Sequence, residues 1–144
     1  MKRILMLWMG VLFAGALVAQ PLTESEKDYF VAQMTNQAKA WSIGDLDGYM
    51  SYYWGSDSLI FVTKGVAKKG WQYLRDGYEK KYPTAEDMGV LVYSDLYFYK
   101  LDSKKIFCTG SWKVTRKEDV LSGTFTLIWK KIKGRWVIIM DHTE

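Results

Sequence analysis

Two side chains in this sequence have the type and setting that proton chemistry needs. His142 is the only histidine and follows the apolar run Trp136 to Met140. A neutral imidazole in a cleft can take or give a proton near pH 7. Asp57 follows Tyr53-Trp54 and precedes the apolar run Leu59 to Val62. In an apolar pocket a carboxyl is harder to ionise, which suits a general base working beside a carbonyl. Each residue also has a plainer reading: His142 as a packed or solvated histidine with no catalytic duty, Asp57 as a turn residue capping backbone N–H groups. Strand alternation groups His142 with Trp136, Ile138 and Met140 and turns Asp141 the other way. The two adjacent side chains are therefore no dyad unless the strand ends or bulges there.

Around these groups the chain is rich in aromatics, with seven Trp and ten Tyr. Trp41, Tyr49, Tyr53, Trp54, Tyr78, Tyr82, Trp112 and Trp129 could wall a ligand cavity and offer hydroxyl donors, or simply fill a core and an interface. Arg116 shares the parity of Trp112 and Val114, so it could meet an anionic ligand or stand in water at a strand end. One His, one Cys and scattered acids give no metal-ligand spacing, and no phosphate loop, dinucleotide fingerprint or nucleophile elbow occurs. No cofactor is expected. Cys108 lies in an alternating strand and reads as a buried thiol.

The elements that must position these residues can be read in order. Thr23-Glu24-Ser25-Glu26 is a capping box. It opens a helix with Phe30, Met34, Ala38 and Trp41 on one stripe, ending at Gly44. Asp45 begins a short second helix that shares Leu46, Tyr49, Met50 and Tyr53 on a face. Ser58 to Thr63 reads as a strand with a short return around Val66-Ala67. Gly70 to Tyr82 is a third helix, stopped by Pro83. Val90 to Leu101, Ile106 to Arg116 and the hairpin Val120 to Glu144 form a long antiparallel meander, with no helix expected from Gly89 onward. Helices first and strands last give an α+β fold: three helices on one face of a curved, mixed or antiparallel sheet. Both parities of the last hairpin are apolar, so both of its faces should be covered, one by helices and the other by a second copy of the chain.

The first segment stands apart. Lys2-Arg3, the apolar run Ile4 to Val18 and the small residues ending at Ala19 have the layout of a secretory signal peptide, with cleavage expected after Ala19. Residues 20–144 then form a single domain, exported to the periplasm or beyond, with no stable membrane anchor once the leader is gone. Losing Lys2 and Arg3 takes the basic residues from 20 to 18 against 16 acids. That near balance, without a basic stripe, gives no footprint for nucleic acid.

Two local patterns carry a resemblance. Trp41-x-x-Gly44-Asp45-Leu46-Asp47-x-Tyr49 with Tyr53-Trp54-x-x-Asp57 stands near the front, and Gly123-x-Phe125 through Gly134-x-Trp136-x-Ile138 to Asp141-His142-Thr143 at the back. Together with the element order they resemble the nuclear transport factor 2-like superfamily, which includes SnoaL-like and ketosteroid isomerase-like proteins. The patterns look like its bacterial branch labelled domain of unknown function 4440. The resemblance implies a cone: a curved sheet around the first helix with a pocket between them. It also implies a homodimer, often through the outer sheet face, and it is where Asp57 would turn toward the pocket mouth. The tyrosine and paired-acid arrangement of ketosteroid isomerase is not reproduced in the pattern. Three functions follow as expectations: binding of a small, largely apolar molecule; a cofactor-free lyase, isomerase or cyclase using Asp57 and His142; and an oligomerising, partner-binding module.

Overall fold

The computed structural model describes residues 20–144; the expected leader lies outside them. A two-residue strand β1 (Gln20–Pro21) precedes helix α1 (Glu24–Ser42) and helix α2 (Leu46–Met50). Strands β2 (Ile60–Thr63) and β3 (Val66–Lys69) follow, then α3 (Trp71–Lys81), a single turn α4 (Ala85–Met88), and the meander β4 (Val90–Asp102), β5 (Lys105–Thr115), β6 (Val120–Ile132) and β7 (Arg135–Thr143). The α+β order is the one expected. The front strand is shorter than expected because buried Leu59 closes the preceding turn, its N–H donating to Ser56 O at 3.2 Å. The extra turn α4 has its own signature, a capping box between Thr84 and Asp87.

Helix α1 forms where its capping groups meet: the Thr23 N–H donates to Glu26 Oε2 at 3.0 Å, and the Glu26 N–H to Thr23 Oγ1 at 3.3 Å. Its buried stripe is Phe30, Met34, Gln37, Ala38 and Trp41. Gly44 then turns the chain with φ of 79°, a left-handed value that suits glycine. The seven strands form one sheet in the order β1-β4-β5-β6-β7-β2-β3, antiparallel except for the parallel pair β2–β7. Phe30 lies at the narrow end of the core, its ring 5.7 Å from Trp129 and 5.1 Å from Trp136.

Three irregularities break the ladders; one leaves Leu101 unpaired at the end of β4, and the other two lie nearer the cavity. In β4, Ser94 pairs with Ser111 but Tyr97 pairs with Thr109, so Asp95 and Leu96 stand opposite Gly110 alone. Asp95 adopts φ of 52°, and the extra residue lets Leu96 turn into the core. In β7, Met140 pairs with Ile128 but Ile138 pairs with Trp129, leaving Ile139 without an opposite residue. Each extra residue bends its strand and resets which side chains face inward.

Gly110 is what the first bend leans on: a Cβ there would meet Ser94 O and Leu96 Cδ2 at 2.9 Å and Phe125 Cζ at 3.0 Å. Replacing Gly110 by Val should destabilise the fold by roughly 1–3 kcal/mol through overpacking. Urea unfolding would read this as a lower midpoint; an unchanged midpoint would show that the bend tolerates a side chain.

Candidate functional site

The sheet's concave face and helices α1 to α3 enclose a cavity of about 800 Å³. Its wall is built around Trp41. That ring stacks edge-on against Tyr49 at 4.9 Å, Tyr82 at 5.3 Å and Tyr78 at 5.4 Å. The indole N–H donates to Met88 O at 2.7 Å. One residue of α1 thus ties α2, α3 and α4 into a single wall, with its polar atom satisfied inside. Leu91, Tyr93, Trp112, Val114, Phe125 and Leu127 line the sheet side.

One buried carboxyl group lies within this largely apolar surface. Asp141 is 3% exposed. Tyr53 donates to its Oδ2 at 2.7 Å, and the Thr143 hydroxyl to its Oδ1 at 2.6 Å. The Tyr49 and Tyr53 hydroxyls are 3.2 Å apart. With the Tyr53 proton committed to Asp141, Tyr49 donates to Tyr53, giving a relay of two phenols ending on a carboxylate. Burial raises the Asp141 pKa above its ordinary value, against the lowering effect of its two hydroxyl donors and of nearby His142. Burial also pushes the Tyr49, Tyr53, Tyr78 and Tyr93 phenols up, helped in each case by the Asp141 charge, so they stay protonated donors.

The carboxyl reaches the cavity because of the β7 bulge. Ile138 faces inward, Ile139 is the extra residue, and inward orientation resumes at Asp141 and Thr143. Tyr53 arrives from the other side. It bridges in parallel to Ile138 through two hydrogen bonds, Trp54 N–H to Ile138 O at 2.9 Å and Ile138 N–H to Tyr52 O at 2.8 Å.

Of the residues expected from sequence, Trp41, Tyr49, Tyr53, Tyr78, Tyr82 and Trp112 line the cavity and Trp54, Arg116 and Trp129 do not. Trp54, next to inward-facing Tyr53, is absent from the cavity wall. Trp129 is fully buried, where it fills the narrow end instead of walling the open one. Arg116 is committed to Asp119 by two hydrogen bonds of 2.6 and 2.5 Å and to Asp87 O at 3.3 Å. Asp57 is exposed in the turn before β2, outside the cavity. His142 lies on the opposite face from Asp141 because the bulge reverses its parity; its side chain is 44% exposed and its Nε2 donates to Glu144 Oε1 at 3.1 Å. Unbroken alternation from inward-facing Ile138 would put His142 in the cavity; the extra residue Ile139 puts Asp141 there instead. Among the described residues no three His, Cys, Asp or Glu side chains converge as a metal site would require.

Solved structures share this architecture. An NTF-2-like protein of unknown function from Shewanella oneidensis superposes with a TM-score of 0.78 at 35% identity, over 82% of this chain and 98% of the other. The chain belongs to the nuclear transport factor 2-like family. An NTF2-like protein of unknown function from Pseudomonas putida shares the fold at 13% identity, with a TM-score of 0.67 over 85% of this chain and 88% of the other. So does the association domain of C. elegans CaMKII, at 13% identity and a TM-score of 0.63 over 84% and 96%. No protein-family model matches the sequence, and no curated protein does. Within the family's cone, the Asp141–Tyr53–Tyr49 relay is the feature with chemical capacity.

The raised Asp141 pKa has a stability consequence whose sign is fixed. Between the unfolded and native pKa the native state holds more protons than the unfolded one, so stability falls as pH rises through that window. Asp141→Asn keeps the shape and removes the charge. Its stability advantage over the wild type should grow as pH rises above the ordinary carboxylate range, by at most about 1.4 kcal/mol per pH unit. Urea midpoints of both proteins between acid and neutral pH test this; an advantage that shrinks with pH would mean that the fold favours the ionised form.

Proposed function

We propose that the cone binds a small, largely apolar molecule whose carbonyl or hydroxyl group meets the Asp141–Tyr53 pair. The observation that carries this reading is a cavity of about 800 Å³ with aromatic walls and one buried, hydrogen-bonded carboxyl. A few convergent polar groups in an apolar recess are what orient a ligand. The leader Met1 to Ala19 supports export, so the ligand would be met outside the cytoplasm. Titration with the neutral probe phenylnaphthylamine should change the fluorescence of Trp41 and Trp112, and Leu91→Trp, which fills the cavity, should abolish the response. An unaltered response in Leu91→Trp would place the probe elsewhere.

One observation favours a second reading, acid–base catalysis without a cofactor. Asp141 is buried and hydrogen-bonded to a phenol that stays protonated. Asp141 would take a proton beside a carbonyl, while Tyr49 or Tyr78 would donate to the developing oxyanion. This moves the acid–base role from Asp57 and His142 to Asp141. Exchange of the α-protons of β-tetralone for deuterium, followed by NMR, should proceed in the wild type and fall by about 10²–10⁴-fold in Asp141→Asn. Equal exchange in both proteins would leave binding alone.

Homodimerisation through the outer sheet face also has support on the molecule. Tyr99, Phe107, Ile128 and Met140 stand in register across four strands on that face, and Val90, Val92, Tyr97 and Leu101 are exposed on β4. An apolar band of this kind on a sheet surface suits burial against a second copy. The likeness to an association domain agrees with this. Sedimentation should give a dimer mass for the wild type and a monomer for Tyr99→Lys; a monomeric wild type at high concentration would exclude the interface.

A further inference from the structure

The cavity mouth carries charge that neither the apolar walls nor the relay explains. Lys64 in the β2–β3 turn, Lys68 in β3, and Lys80 and Lys81 at the end of α3 all border the cavity. Two of these amines are held near the rim by aromatic faces: Lys68 Nζ lies 5.3 Å from the Tyr73 ring centre, and Lys81 Nζ 4.9 Å from that of Tyr82. Among the described residues none of the four forms an ion pair. The acids that also border the opening are engaged elsewhere. Asp76 accepts from Gln72 at 2.7 Å and lies 4.0 Å from Arg75, and Glu144 accepts from His142 at 3.1 Å. Lysines at a helix end and in a hairpin turn are ordinary when each faces water alone. Here the β2–β3 hairpin and α3 bring them to one opening, above a recess whose interior is largely apolar.

We infer that the ligand is an organic anion: an apolar ring body seated in the cavity, with a carboxylate, sulfonate or similar acidic group left at the lysine rim. This rests on the binding reading above and narrows its chemical class. The division of labour is physical. A charged group would be costly beside buried Asp141, whereas at the mouth it stays partly hydrated and gains from four unpaired ammonium groups.

A matched pair of probes tests it, because anilinonaphthalene sulfonate and phenylnaphthylamine share one ring body and differ in the acidic group. The sulfonate should bind about tenfold more tightly than the neutral amine at low salt, each probe displacing the other. The preference should disappear at about 0.5 M salt, where the screening length is only a few ångströms. It should also disappear in the combined variant Lys64→Gln, Lys68→Gln, Lys80→Gln, Lys81→Gln, with neutral-probe affinity unchanged. If both probes bind equally, or the sulfonate binds without competing, the cavity reading stands and the anion assignment falls. If neither binds, the cavity reading falls and takes this one with it. The salt arm uses the wild type, so a variant that fails to fold leaves the test intact.

Discussion

A flat sheet of seven strands cannot surround a helix, so the molecule depends on where its strands bend. Both bends are made by an extra residue. At Asp95 the bend turns Leu96 into the core and brings β4 close over Gly110. At Ile139 it curls the end of β7 and turns Asp141 inward. The same device therefore sets the curvature that makes the cavity and turns the one buried carboxyl into it. Helix α1 completes the arrangement from the concave side, Phe30 filling the narrow end and Trp41 joining the three smaller helices at the wide end.

Burying a carboxyl in such a place costs free energy, and the surroundings reduce the cost without cancelling it. Tyr53 and Thr143 each donate to one carboxylate oxygen. They leave the group held in one orientation, yet harder to ionise than it would be in water. A purely structural core would be served as well by an apolar side chain of similar volume. In the proposed binding role, this retained polarity facing open volume would orient the ligand.

Much of this was legible in the chain. The capping box at Thr23, the stripe Phe30–Met34–Ala38–Trp41, the stop at Pro83 and the turn at Gly134 are local signals, and local hydrogen bonding and periodicity decide them. The aromatic walls were legible in part for the same reason: Tyr78 and Tyr82 lie four residues apart at the end of α3, and Tyr49 and Tyr53 keep that spacing although α2 ends at Met50 and Tyr53 bridges to β7. What escaped were consequences of pairing. Whether Asp141 or His142 faces inward depends on a register shift opposite Ile128 and Trp129, which no residue of β7 announces by itself. Arg116 has the right parity but finds Asp119 across its own turn. Trp129 and Trp54 differ from the true wall residues only in which end or side of the cone they occupy. Asp57 showed an acid beside an apolar strand, a pattern that a solvated turn shares.

The β7 bulge also makes the site unequally sensitive to changes in chain length. If Ile139 were lost, the ladder could straighten while Met140 stayed outward and Asp141 inward, because the bulge absorbs the missing residue. One residue gained between Met140 and Asp141 would have no such slack. It would rotate the strand's end by half a period, withdrawing the carboxyl and bringing the imidazole of His142 to the inward position that Thr143 holds. Kindred chains that differ by one residue at this point could thus carry different acid–base groups within the same scaffold.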